Sequence, residues 1–337
     1  MKLYKKSKLL ACLALLLVIP VVNGASSIDT PRHMVFVSDP QYPWTDKTDA
    51  REPESNSQAQ KRSQWLIETQ YDSIAEFRRN SGGASAVPVM INGDLTAFGH
   101  GDQRSYIKST LDAKLNGLYD YGLGNHDYQN NVDDCYLNSC AAGSIDDLKN
   151  RYWGKVGNMD LAARSSWPST IYYGSLAYSK DFGDVHLVQL HNEPTYEVTF
   201  SSGVFLSPTV YEITPALDWL ERDLKRARAQ GKIILLNLHK PAEWQGSNEQ
   251  ISRFRTMIEE YGVTAVFAGH EHGHAGWRGW WGREEIYGDV PVFLSGAASQ
   301  QTWLFASLSE DSKELAISVV ADNDWRNPRE VEVIPVK

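Results

Sequence analysis

The chain has 337 residues, 42% of them hydrophobic and 22% charged, with 33 Lys and Arg against 42 Asp and Glu. That composition excludes a disordered or fibrous protein and is enough to bury a sizeable core. A net charge of −9 argues against nucleic acid or an anionic membrane surface as the main partner, because either needs a broad positive face.

Residues 1–24 carry Lys2, Lys5, Lys6 and Lys8 and no acid. A basic start, an apolar run over residues 9–22 and the small stretch Asn23-Gly24-Ala25 give the layout of a secretory signal peptide, cut near Gly24 or Ala25. An uncleaved anchor is the alternative, but 14 apolar residues interrupted by Pro20 fall short of the roughly 20 that span a bilayer. A lipoprotein cut at Cys12 would leave an apolar tail and is discounted. The expected mature chain is secreted or periplasmic, has no membrane span, and carries 29 basic against 42 acidic groups.

Residues 25–337 contain no repeat, low-complexity tract or long linker, which points to one domain. Apolar runs rich in Val, Ile and Phe recur at 34–38, 87–92, 118–123, 185–190, 232–238, 263–268 and 290–295, and each reads as a buried strand. Amphipathic stretches at 58–79, 103–115, 215–230 and 249–261 read as helices. The third has Thr214 as its expected cap and Pro215 in its first turn. Strands alternating with helices argue for an α/β layered fold. Cys135 and Cys140 sit in a polar stretch read as a loop, where an oxidising compartment favours a local disulfide.

Polar ligand types gather where these strands end. Residues 35–38 run into Asp39-Pro40-Gln41, 89–92 into Gly93-Asp94, and 121–124 into Asn125-His126-Asp127. Residues 233–238 run into His239-Lys240-Pro241, and 263–268 into Gly269-His270-Glu271-His272. In α/β sheets, loops at the carboxyl ends of strands bring distant residues into one crevice. Two Asp, one Asn and three His have the donor types to hold a pair of divalent ions.

In this order, SDPQ, GDLTAFG, GNHD, LHKP and GHEH resemble the five signature blocks of calcineurin-like metallophosphoesterases, over about residues 33 to 300. The stretches YSKDFGDVHLVQLHNE and PALDWLERDL resemble the strand and helix that commonly lie between the third and fourth blocks. The resemblance implies a four-layer α/β fold, a two-sheet β-sandwich flanked by α-helices, and a binuclear metal centre hydrolysing phosphate mono- or diesters. Carried over by motif, Asp94 bridges two metals, Asp39 and His272 bind the first, and Asn125, His239 and His270 bind the second. Mn, Fe and Zn all suit such a set. One departure is Gln41, which stands where the family usually has His; its neutral amide is a poorer ligand than imidazole. His126 would protonate the leaving oxygen or stabilise its developing charge, with Asp127 either orienting that ring or capping the loop. His270 and His272, two apart in extended backbone, would face one crevice, with Glu271 pointing away.

Substrate contacts are expected from His191 and Asn192 beyond the strand at 185–190, and from Arg278 and Trp281 in the Trp-rich stretch that follows His272. Those tryptophans, with Trp44, form either an aromatic rim or part of the core. His274 is expected to face solvent. A competing reading is a secreted non-catalytic module whose degenerate metal site, signalled by Gln41, recognises a phosphorylated or glycan ligand. The retained Asn125-His126-Asp127 favours catalysis over that reading. No G-x-S-x-G elbow or phosphate-binding G-x-x-x-x-G-K loop is present. Oligomeric state is left open.

Overall fold

All seven apolar runs form strands, and they divide between two sheets. The first sheet has six strands in the order Arg329–Pro335, Glu314–Val320, Trp303–Leu308, His33–Val37, Val89–Ile91 and Asp120–Tyr121. The second has seven, in the order Gly276–Trp277, Val292–Leu294, Ala265–Ala268, Ile233–Leu238, Val185–Gln189, Tyr178–Phe182 and Asn158–Met159. This computed structural model describes residues 29–204, 206–277 and 283–337, with backbone alone at Trp277, Arg283 and Glu284. The expected signal segment, Arg278, Trp280 and Trp281 lie outside the described residues.

The sheets face each other through side chains that alternate along their strands. Phe36 and Phe267 stack across the interface with ring centroids 3.5 Å apart, and Met34, Leu187, Phe293 and Leu304 fill in around them. The outer face of the first sheet is covered by the helices Asn56–Asn80, Gly101–Leu115 and Ser139–Tyr152. Leu217–Ala229 and Asn248–Glu260 cover the second. The longest helix starts at a reciprocal cap between Ser55 and Gln58 and turns Leu66, Ile67, Tyr71, Ile74 and Phe77 inward, a three-to-four residue spacing that keeps one stripe apolar. The result is the expected α/β sandwich with helices outside both sheets.

Each sheet contains a run of neighbouring parallel strands. His33–Val37, Val89–Ile91 and Asp120–Tyr121 share one direction. Val185–Gln189, Ile233–Leu238, Ala265–Ala268 and Val292–Leu294 share theirs. The loops that leave their carboxyl ends carry every motif residue.

Three features depart from the reading of the sequence. A third sheet, ordered Ala162–Ser166, Ser169–Gly174, Thr209–Ile213 and Val198–Ser202, arises from short segments of mixed polarity with no apolar run to mark them. The stretch read as a loop around the cysteines becomes helical at Ser139, so the disulfide Cys135–Cys140 ties a short 3-10 turn to the first turn of a helix. The helix expected from Pro215 begins at Leu217, with Ala216 at its cap position and no side-chain cap, so Thr214 does not play that role. Among the described residues, no helix is long and apolar enough to cross a membrane.

Candidate metal centre

Asp39, Gln41 and Asp94 are almost wholly buried, and each adopts left-handed backbone, with φ of 52°, 40° and 49°; His270 has φ of 71°. Non-glycine residues enter that region uncommonly, though Asn, Asp and His do so more readily than others, and such conformations cluster where the surroundings over-determine them at functional sites. The turns let both sheets aim polar groups at one point. Gly93 and Gly124 make the approach possible. A Cβ on Gly93 would sit 2.9 Å from His239 Nδ1, and one on Gly124 would overlap the Asp94 carboxylate.

Two groups of donors meet there. His239 Nε2 lies 3.0 Å from Asp94 Oδ2 and 3.0 Å from Asn125 Oδ1, and donor atoms of Asp94, His239 and His270 fall within 4.8 Å of one another. His272 Nε2 lies 3.3 Å from Asp39 Oδ1, which is itself 4.0 Å from His239 Nε2. Backbone and carboxylate acceptors fix the tautomers. His239 Nδ1 donates to Asn92 O at 2.8 Å and His272 Nδ1 to Asp49 Oδ1 at 2.7 Å, so both rings turn Nε2 inward.

The electrostatics match a site built for cations. Burial opposes charge on His239 and His272, yet the carboxylates of Asp94 and Asp39 lift His239 to about 9, and those of Asp39 and Asp49 lift His272 to about 10. Burial and the neighbouring His239 instead push His270 down to about 4. Asp39 is held below the usual carboxylate range, against its burial, by His239 and His272. Asp39 Oδ1 and Gln41 Oε1 are buried acceptors without a hydrogen-bond donor. Orphaned acceptors of this kind are costly unless an ion or water serves them, so the donor set fits divalent cations.

His126 and Asp127 divide their work differently from the expectation. His126 lines the crevice, its N–H donating to Asp94 Oδ1 at 2.8 Å. Its Nδ1 donates to Ala97 O at 2.9 Å, and the edge of Trp44 stands 5.4 Å away, centroid to centroid. Asp127 does not touch that ring. Its carboxylate accepts from Leu95 N, Thr96 N, Thr96 Oγ1 and Gly124 N at 3.0 to 3.1 Å, tying the Asp94 loop to the Asn125 loop. Burial and the nearby Asp94 raise it to about 7 despite those donors. The loop-capping alternative therefore holds, and Ala97 orients His126.

Three other expectations are corrected. His191 is buried with both ring nitrogens engaged, accepting from Leu123 N at 3.1 Å and donating to Leu176 O at 2.7 Å, so in this structure it braces the core and does not line the crevice. Asn192 is fully buried and donates to Gln129 Oε1 at 2.7 Å, away from the crevice lining. The His270–His272 segment is a turn instead of extended chain, and Glu271 lines the crevice with both histidines. His274 is largely exposed, as expected.

Asp49 was missed. It ends a one-turn helix, Asp46–Asp49, and accepts from His272, Trp44 Nε1, Ser299 Oγ and Gln300 Nε2. These donors hold it at about 2 although burial opposes the charge. It lies outside the five motifs, and only its partners in space mark it.

The calcineurin-like phosphoesterase family model matches residues 33–274. The chain belongs to the calcineurin-like phosphoesterase family. No curated protein matches it. Among solved structures, the purple acid phosphatase PPD1 from yellow lupin (Lupinus luteus) seeds aligns with a TM-score of 0.56 at 11% identity, covering 90% of this phosphoesterase and 53% of that chain. The phosphoesterase therefore spans about half the length of the lupin protein, and the likeness is one of fold. Weaker alignments link it to Vps29 of Chaetomium thermophilum, with a TM-score of 0.34, 8% identity and coverage of 90% and 95% of the two chains. A serine/threonine phosphatase of Saccharomyces cerevisiae gives 0.32, 11%, 88% and 81%.

Proposed function

We propose that this phosphoesterase is an exported enzyme that holds two divalent transition metal ions, Mn, Fe or Zn, and hydrolyses phosphate mono- or diesters with water as the nucleophile. The observation that carries this reading is the convergence of Asp39, Asp94, Asn125, His239, His270 and His272, from both sheets, around buried acceptors that lack donors. Asp39, His272 and the Gln41 amide oxygen would hold one ion, Asn125, His239 and His270 the other, and Asp94 both. The ions would supply Lewis acidity to the phosphoryl oxygens and lower the pKa of a water toward neutrality.

The chain does the rest. Asp49 and Asn92 O fix which nitrogen of His272 and His239 faces inward. The Ala97 carbonyl accepts from His126 Nδ1–H, leaving Nε2 to face the departing oxygen, to which the doubly protonated ring gives its Nε2 proton, regained afterwards from solvent. Trp44, beside both His126 and His272, narrows the crevice on the side where the leaving group departs. The Cys135–Cys140 disulfide suits an oxidising compartment and supports export.

The test combines metal analysis of protein purified without chelator with hydrolysis of nitrophenyl phosphate and bis(nitrophenyl) phosphate. Two ions per chain and activity lost on chelation are expected, with Asp94→Asn losing both metal and turnover. Full activity in Asp94→Asn or after thorough chelation would refute the mechanism. Export is checked by mass spectrometry of the mature amino terminus, which should fall near residue 25.

A further inference from the structure

A second cavity, of about 440 Å³, opens between the helices Gly101–Leu115 and Ser139–Tyr152 and shares no lining residue with the metal crevice. Consecutive residues are split between the two: Asp94 and His126 face the crevice, whereas Leu95, Thr96 and Asp127 wall the cavity. Its interior is apolar and aromatic, formed by Ile107 and Leu111 from the first helix and by Tyr119, Tyr121 and Leu123. One polar atom is out of keeping. Ser144 Oγ, on a residue only 3% exposed, lines the cavity and has no hydrogen-bond partner. A buried hydroxyl without a partner is rare enough to require an explanation, and a ligand is one.

The mouth is cationic, although the chain as a whole is acidic. Arg104 pairs with Asp147 at 2.8 Å and Lys108 with Asp112. Arg151 and Lys155, also at the mouth, form no ion pair among the described residues. Arg151 donates to the backbone oxygens of Gly117 and Tyr119 and stacks 4.1 Å over the Tyr119 ring; Lys155 donates to Asn150 O at 2.7 Å. An apolar, aromatic interior of this volume suits a small organic ligand, and two rim cations outside any ion pair favour an anionic head.

We propose that this cavity is a binding site for a small aryl anion, a carboxylate or sulfonate. Its head sits between Arg151 and Lys155, its ring packs on Leu111, Leu123 and Tyr121, and a polar atom meets Ser144 Oγ. The occupant rests against the loop tie made by Asp127, on the opposite side from the metal ligands.

The test titrates 8-anilinonaphthalene-1-sulfonate into the full chain, metal-free and manganese-loaded, reading fluorescence and calorimetric stoichiometry. One site per chain is expected in both forms. Lys155→Glu, a change at the rim, should weaken binding at least about fivefold with melting temperature unchanged, and Leu111→Trp should abolish it by filling the interior. If Leu111→Trp does not fold, Lys155→Glu alone carries the test. Unchanged affinity in Lys155→Glu overturns the proposal. So does equally tight binding of neutral N-phenyl-1-naphthylamine. Displacement of the probe by orthophosphate or manganese would place it in the metal crevice and overturn the proposal as well.

Discussion

His272 has its two ring nitrogens committed in opposite directions, Nδ1 to Asp49 and Nε2 toward Asp39. A carboxylate behind a ligating imidazole fixes the ring and raises its basicity, and losing one typically costs about 10- to 100-fold in metal affinity. Asp49→Ala should therefore weaken metal retention by that order in a chelator competition, with turnover largely recovered at saturating metal. His126→Ala should behave in the opposite way. Metal content stays, and kcat falls by roughly 10²–10⁴, more for alkyl than for nitrophenyl leaving groups, because a poor leaving group depends more on a proton donor. The ligands themselves were legible because their residue types follow strand ends at motif spacing. Asp49 was not, since DKTD in a one-turn helix has no local signal and its four donors come from residues 44, 272, 299 and 300.

At the scale of elements, two polar ties hold neighbouring segments in register. Asp127 joins the loops that follow Val89–Ile91 and Asp120–Tyr121 through four donors. In Asp127→Asn an amide NH₂ would face N–H groups, leaving buried donors unsatisfied at a cost of roughly 1–3 kcal/mol. The metal-free protein should melt earlier, and Asp94 should lose its fixed position. The second tie lies far from the crevice, where His186 on Val185–Gln189 meets Asp181 at 2.6 Å and Asp223 of Leu217–Ala229 at 3.0 Å. Burial opposes its charge, but both carboxylates raise His186 above its ordinary 6.5, while the hydrogen bond from His186, its charge and the nearby Lys232 lower Asp181 below 3.8 against its burial. The His186 contribution is full below pH 6.5 and fades as pH climbs through the raised folded value; that of Asp181 is full above pH 3.8 and fades as pH drops through the lowered one. Melting temperature against pH should therefore show an alkaline decline that His186→Ala flattens. The main strands and four helices could be read from periodicity. The helix Ser139–Tyr152 was hidden by polar residues flanking the cysteines, and the four-stranded sheet by short strands whose few buried residues, among them Phe200, Tyr211 and Ile213, form no apolar run.

For the whole molecule, the inter-sheet layer is the apolar contact that joins the two sheets. Phe267 is completely buried, stacked on Phe36 and near Phe293. Phe267→Ala should cost about 3–5 kcal/mol in chemical denaturation, since neither sheet can move to fill the space. The α/β layering was legible because seven apolar runs of strand length alternate with amphipathic stretches, whereas the division into two sheets followed only from the resemblance of the motifs. How the sheets face each other follows only from packing.

The crevice has a mechanical consequence because its donors come from opposite walls of the sandwich: Asp39, Asp94 and Asn125 follow strands of one sheet, His239 and His270 strands of the other. A cation gripped from both sides acts as a rivet, and its binding free energy is transferred to the resistance of the whole assembly against coming apart. Each tenfold rise in free metal above the dissociation constant then adds about 1.4 kcal/mol per occupied position. Calorimetric scans over a metal series should trace that slope in the wild type and lose it in Asp94→Asn, which makes thermal denaturation a gauge of occupancy independent of any substrate.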